Sequence, residues 1–101
     1  MTQTKLFIEE RLEREFFKFH RENPHIYKIL LRFCNEVWNR GYRHYSIKAI
    51  VERARWHAKF ESTDPDWKLS NNHTAYYARY IMNVNPHLQN FFVTKELRSQ
   101  R

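Results

Sequence analysis

Apolar side chains recur every three or four positions through most of this chain, which is the spacing of helices that bury one face. The pattern predicts helices at residues 4–20, 46–60 and 71–84, and another that begins at Pro24. The helix after Pro24 is the clearest, because its apolar positions fall at spacings of four, three, one and three. They are Ile26, Leu30, Phe33, Cys34 and Val37. The chain is therefore expected to be mainly α.

Residues that favour helix ends stand at the borders of these segments. Asn23 is expected to cap the second helix, with Pro24 at its first position. Gly41, the only glycine, is expected to supply a left-handed C-terminal cap. Ser46 is the expected N-cap of the third helix. The fourth should end before Pro86, and a short helix should begin there.

Two short segments carry strand character, since aromatic and β-branched residues favour extended backbone. Residues 67–69 are expected to form a short strand, and residues 91–97 a second one that pairs with residues 67–69 or with residues 42–45. The helices at 46–60 and 71–84 would then form a helix–turn–helix pair. Their connection of about ten residues is longer than the compact motif allows and suits a winged-helix variant better.

The fold class predicted from the sequence is thus mainly α. We expect a helical bundle with a helix–turn–helix or winged-helix-like core and a short β pairing. A length of 101 residues is enough for one domain with one modest core. Its expected parts are an N-terminal helix through residue 22, a core at 23–97 and a basic tail at 98–101.

Charge is spread unevenly along the chain, whose net charge is +7. Residues 1–39 hold seven Lys and Arg against six Glu, a net of +1. Residues 40–101 hold eleven against five acidic residues, a net of +6. A one-sided basic field attracts nucleic acid or another polyanion.

Several classes of protein lack support in the sequence. The single Cys34 cannot form an internal disulfide and is expected to be a buried free thiol in a reducing cytoplasm. No apolar run approaches the ~20 residues of a membrane helix, and no signal-peptide core is present. Phosphate-binding glycine loops, nucleophile motifs and metal-binding histidine pairs are missing too. We therefore expect no enzyme, no cofactor and no metal site.

The start of the fourth helix is rich in side chains that read or contact nucleic acid. Asn can pair with adenine, Thr can touch a thymine methyl, and a phenol can bond a phosphate. The candidates are Asn71, Asn72, His73, Thr74, Tyr76, Tyr77 and Tyr80. The alternative is that the asparagines only cap the helix and the tyrosines pack on neighbouring helices.

A second group of candidates interleaves basic and aromatic residues, which suits phosphate contact beside base stacking. Its basic members are Arg40, Arg43, Lys48, Arg53, Arg55 and Lys59, among the aromatic residues Tyr42, Tyr45 and Trp56. Lys68 and Arg79 would extend the basic surface. The alternative is a solvated helix face with its aromatic residues turned inward.

Two segments resemble those of a family of small phage and prophage proteins. The first is the run from Tyr45 to His57, and the second runs from Asn71 to Arg79, followed by Pro86 and the Phe91-Phe92 pair. The resemblance covers roughly residues 24–98. It implies a mobile-element or bacterial cytoplasmic setting and indicates nothing about catalytic residues.

Two functions follow as expectations. The first is non-catalytic binding of nucleic acid, with duplex DNA favoured. The second is an inhibitor or modulator that binds an acidic host protein, such as a defence nuclease, through exposed aromatic residues and arginines. Tyr76 and Tyr80 would be such anchors. The extra phenylalanines of residues 4–20 also suggest a homodimer through that helix.

Overall fold

The computed structural model describes residues 2–62 and 69–92, with side chains from residue 10 onward. The chain is mainly helical, as predicted. Its helices are α1 (Thr2–Glu22), α2 (Pro24–Asn39), α3 (Ile47–Trp56) and α4 (Asn71–Val84). A π-helical turn, His57–Glu61, continues α3, and a 3₁₀ turn, Pro86–Leu88, follows α4. None of these described helices is both long and apolar enough to cross a membrane.

The four helices pack around one apolar core. α1 packs against α2 and α4, α2 packs against α3, and α3 packs against α4. Each fully buried large apolar side chain contributes about 1.5–3 kcal/mol relative to exposure. The core residues are Phe16, Ile26, Leu30, Phe33, Cys34, Ile50, Val51, Ala54, Ala58, Tyr77, Ala78, Ile81, Leu88, Phe91 and Phe92.

Most of the predicted helix ends are confirmed. The Ser46 hydroxyl accepts hydrogen bonds from the backbone N–H groups of Lys48 and Ala49. Gly41 adopts a φ of +102°, and its N–H donates to the Trp38 carbonyl at 2.9 Å. α4 ends before Pro86 as predicted. Each of these features follows from local chemistry that the sequence shows directly.

Asn23 does not cap α2 through its side chain, and that prediction is wrong. Its amide donates backwards, to the Phe19 carbonyl at 3.0 Å, and so satisfies the last turn of α1 instead. Only one residue separates α1 from α2, so the same amide lies within reach of either helix end. Pro24 does occupy the first helical position.

The apolar pattern of α4 predicts that Ala75, Ala78, Ile81 and Met82 face the core, but Ala75 is exposed. The buried residues of α4 are Tyr77, Ala78 and Ile81. The helix is therefore rotated so that Tyr77 is buried beside Ala78 and Ile81, while Ala75 faces solvent. Aromatic rings fill the space between α1 and α4 better than a methyl group does.

No β-strand occurs in the described residues. Residues 42–45 form an irregular loop whose one backbone hydrogen bond across the fold joins the Tyr45 N–H to the Phe91 carbonyl at 3.0 Å. Residues 67–68 and 93–97, two parts of the predicted β pairing, lie outside the described residues. So does the predicted tail at 98–101.

Candidate nucleic-acid interface

The side of α4 that carries His73, Tyr76 and Tyr80 packs against α1, so it is not open to a ligand. The ring of Tyr76 stacks on Phe16 at 5.4 Å between centroids. The ring of His73 lies 4.5 Å from that of Phe19, and Tyr80 lies 5.1 Å from His20. His73, Tyr76 and Tyr80 do share one side of the helix, as predicted, but that side is half-buried between α1 and α4.

Tyr77 is fully buried, so its expected contact with nucleic acid is wrong. Its ring meets Phe16 edge-on at 4.7 Å, and its hydroxyl lies 3.3 Å from His20 Nδ1. Burial, helped by the neighbouring Tyr80, raises the pKa of the Tyr77 phenol above its usual value. The residue therefore holds α1 on α4 and touches no ligand.

The remaining candidates on α4 form a small polar surface. Asn71 and Asn72 are exposed in its first turn, where the Ser70 hydroxyl, and not an asparagine, accepts the capping hydrogen bond from His73 N–H at 3.1 Å. The Thr74 hydroxyl donates back to the Ser70 carbonyl at 2.9 Å. Arg79 is the only charged residue of α4, and its guanidinium lies 5.2 Å from the Tyr76 ring.

The outward side of α3 and its π turn gathers basic and aromatic side chains instead. Its exposed members lie opposite the buried Ile50 and Ala54, because spacings of three, four, seven and eight keep residues on one side of a helix. We call this the α3 surface: Lys48, Glu52, Arg55, Trp56, Lys59 and Phe60. Residues 40–62 hold six Lys and Arg against two Glu, a net of +4. The net positive charge of the described structure is therefore concentrated in residues 40–62, which include the α3 surface, and not on α4.

Both glutamates of this segment are paired with arginines. Arg55 donates to Glu52 at 2.8 Å, one helical turn away. Arg53 donates to Glu61 at 2.8 Å, and His57 Nδ1 donates to the same carboxylate oxygen at 3.1 Å. The hydrogen bonds from Arg53 first, and from His57 second, lower the pKa of Glu61. Among the described residues, no acidic side chain forms an ion pair with Lys48 or Lys59 of the α3 surface.

The π turn brings Glu61, its last residue, close to Arg53 of α3. Its i→i+5 hydrogen bonds make a wider turn than an α-helix, and such turns often occur at functional sites. Here the turn places Glu61 beside both His57 and Arg53. The Arg53 guanidinium also lies 4.4 Å from the ring of the buried Phe33, which fixes its position at the edge of the α3 surface.

Trp56 and Phe60 are the most exposed large aromatic residues in the described part of the chain, at 58% and 61%. Their ring centroids lie 4.5 Å apart, and Lys59 Nζ lies 5.5 Å from the Phe60 ring. Trp56 is among the candidates predicted from the sequence, and Phe60 is not. The sequence does contain a signal for this pair, because Trp56 and Phe60 are four residues apart on the side of the helix away from Ile50 and Ala54.

The loop between α2 and α3 holds Arg43 in a fixed position. Its guanidinium lies 3.9 Å from the Trp38 ring and donates to the Trp38 carbonyl at 2.9 Å. Together with His44 and His87, the Arg43 side chain borders a shallow cavity of about 240 Å³. His44 Nδ1 donates to the Asn90 carbonyl at 3.0 Å, and His87 Nε2 donates to Asn35 at 2.8 Å. The His44 contact joins the loop to the segment after α4, and the His87 contact joins that segment to α2.

Lys68 lies outside the described residues. Within the described ranges, no three His, Cys, Asp or Glu side chains are grouped so that they could hold a metal ion. Comparisons with protein families, with curated proteins and with solved structures find no match to this chain. The functional argument therefore rests on the geometry and charge of the α3 surface.

Proposed function

We propose that this protein is a non-catalytic nucleic-acid-binding protein whose contact surface is the α3 surface. The observation that carries the proposal is the exposed line of Lys48, Arg55 and Lys59 beside Trp56 and Phe60. From Lys48 to Lys59 the helix rises roughly 16 Å, the length of about five phosphates along one strand. Ammonium and guanidinium groups over that length suit a phosphate backbone better than an isolated anion.

Docking α4 into a major groove as the recognition helix remains a prediction that the structure does not favour. Tyr76 and Tyr80, whose phenols were expected to contact the phosphate backbone there, have rings that contact α1. The connection between Glu61 and Asn71 is also longer than that of a compact helix–turn–helix motif. Asn71 and Asn72 are exposed, and their contact with nucleic acid stays a prediction.

The test is the binding of labelled nucleic acid by fluorescence anisotropy over a range of salt concentrations. The test variant carries Lys48→Ala and Lys59→Ala, and the matched control carries Lys18→Ala and Lys28→Ala on α1 and α2. All four lysines are exposed, so the two proteins lose equal charge. The test variant should bind more weakly, and its slope of log affinity against log salt should fall by about 0.7–0.9 for each lost phosphate contact.

The control should behave as the wild-type protein does apart from a small general charge effect. Equal weakening of both variants would mean that net charge, and not the α3 surface, attracts the ligand. Binding of neither single nor double strands by the wild-type protein at about 50 mM salt would contradict the proposal.

The exposure of Trp56 and Phe60 also favours a second candidate, binding to an acidic host protein of a bacterium that carries the phage. Protein interfaces use buried aromatic and arginine side chains as anchors, and this pair stands beside Arg55. A tagged pull-down from host lysate with and without nuclease separates the two functions. Recovery of one host protein that survives nuclease treatment, and that is lost on Trp56→Ala, would support the second. Recovery that depends on intact nucleic acid would support the first.

A further inference from the structure

The Trp56–Phe60 pair is unlike the other exposed aromatic residues of the described structure. Tyr42 packs edge-on against Tyr45 at 5.7 Å, and Phe17 meets both Phe16 and Tyr80. Among the ring contacts of the described residues, Trp56 and Phe60 have only each other. They stand on a helix and its continuing turn and not on a terminus, so their position is fixed by the backbone.

The surroundings of the pair are cationic. Lys59 Nζ lies 5.5 Å from the Phe60 ring, and Arg55 precedes Trp56 in the chain. The Glu52 carboxylate of the same surface is paired with Arg55 at 2.8 Å. A partner of this surface should therefore be anionic and should also carry a flat apolar face. Nucleic acid provides both, in its phosphates and its bases.

The bases of a duplex expose only their edges in the grooves, because their faces are covered by the stack. An aromatic ring that projects from a helix can reach the face of a base only where that base is unpaired or flipped out. A pair of rings beside cations is the arrangement that proteins use to bind single strands with little sequence preference.

We propose that the Trp56–Phe60 pair stacks on unpaired nucleobases, so that the protein binds single-stranded nucleic acid in preference to a complete duplex. The inference rests on the proposed function and adds the class of ligand. It differs from the duplex DNA expected from the sequence, because that expectation depended on an open tyrosine face of α4. Lys48, Arg55 and Lys59 contact the phosphates, and the two rings hold one base or two.

The experiment compares a fluorescein-labelled oligothymidine of about 20 nucleotides with a duplex of the same length, using the full chain at about 50 mM salt. One variant carries Trp56→Leu and Phe60→Leu, which keeps the surface apolar but removes the aromatic faces. A second carries Trp56→Phe alone, which keeps an aromatic face. Circular dichroism and thermal unfolding check that both variants fold as the wild-type protein does.

The wild-type protein should bind the single strand at least about tenfold more tightly than the duplex. The double leucine variant should lose roughly tenfold or more in affinity for the single strand and keep its affinity for the duplex, because stacking contributes only where base faces are open. Trp56→Phe should retain most of the single-strand affinity.

Two other outcomes would separate the inference from the proposed function. If the wild-type protein binds single and double strands equally, and the leucine variant binds both as the wild type does, stacking is wrong and electrostatic binding of nucleic acid stands. If the wild-type protein binds neither ligand, the proposed function itself is wrong.

Discussion

Tyr77 shows at the scale of one residue why sequence alone misplaced the site. A tyrosine in a helix of Asn, His and Tyr fits a surface as well as a core, since its ring is apolar and its hydroxyl is polar. The structure buries it completely against Phe16, with His20 as the neighbour of its hydroxyl. No local pattern distinguishes it from Tyr76 or Tyr80, because the difference depends on where α1 packs.

Tyr77→Phe is therefore expected to change stability and not binding. The variant loses the buried hydroxyl 3.3 Å from His20 Nδ1, which should lower the free energy of unfolding by about 0.5–1.5 kcal/mol. Urea denaturation measures this change in the free energy of unfolding. Tyr42→Phe, at an exposed tyrosine, is the control and should leave stability unchanged. A loss of nucleic-acid affinity in Tyr77→Phe without a loss of stability would contradict its place in the core.

Cys34 provides a second prediction at this scale. The thiol is buried in α2, and its burial raises the pKa of Cys34 to about 12. At about pH 8 the native thiol should react with iodoacetamide far more slowly than the same thiol in denaturant, because the thiolate is the reactive form. Mass spectrometry of the alkylated chain measures the two rates. Rapid labelling of the native protein would show that this part of the core opens readily.

At the scale of elements, the sequence predicted the helices well because their signals are local. Ser46, Gly41 and Pro86 act through hydrogen bonds or backbone angles within a few residues, and all three end or begin helices as expected. The rotation of α4 could not be predicted in the same way. Ala75 and Tyr77 lie on different sides of that helix, and its tyrosine side faces inward because the aromatic rings of α1 lie there.

α1 gives a matched test of that packing. Phe16 is 1% exposed between α1 and α4, whereas the adjacent Phe17 is 37% exposed. Phe16→Ala should reduce the free energy of unfolding by about 3–5 kcal/mol through the cavity it leaves. Phe17→Ala should change it by less than about 1 kcal/mol. Similar costs for the two variants would mean that α1 does not pack on α4 as described.

The expected homodimer through residues 4–20 stays a prediction that the same pair of variants can address. Phe17, one of the extra phenylalanines beside the apolar stripe of that helix, is exposed, whereas Phe16 of the stripe is buried. If a dimer forms through the exposed side of α1, Phe17→Ala should lower the mass measured by light scattering. A monomeric mass for the wild-type protein at micromolar concentration would remove the dimer.

The π turn after α3 makes stability depend on pH through Glu61. Hydrogen bonds from Arg53 and His57 lower its pKa below the ordinary value of 4.5. The stabilisation is therefore fully present above about pH 4.5 and is lost as the pH falls through the lower value in the folded protein. Thermal unfolding of wild type and Glu61→Gln should differ at neutral pH and converge in acid. A difference that stays constant from neutral to acidic pH would contradict this ion pairing.

At the scale of the whole molecule, the distribution of charge decides which surface is the candidate site. The basic excess of the C-terminal part, with Lys48, Arg55 and Lys59 among its members, was visible in the sequence. The sequence did not show that these three are exposed while Tyr76 and Tyr80 pack on α1. α4 carries one charged residue, while residues 40–62 carry a net of +4. The alternative for the α4 tyrosines, packing on neighbouring helices, is what the structure shows. The second group of candidates contains six of the twelve exposed Lys and Arg residues of the described side chains.

The most direct measurement is a nuclear magnetic resonance titration of the ¹⁵N-labelled protein with a single-stranded oligonucleotide. Binding at the α3 surface predicts that the backbone resonances of residues 46–61 and the indole resonance of Trp56 shift, while those of Asn71 and Asn72 move little. Shifts concentrated at residues 71–80, with the Trp56 indole unmoved, would contradict the account and return the site to α4.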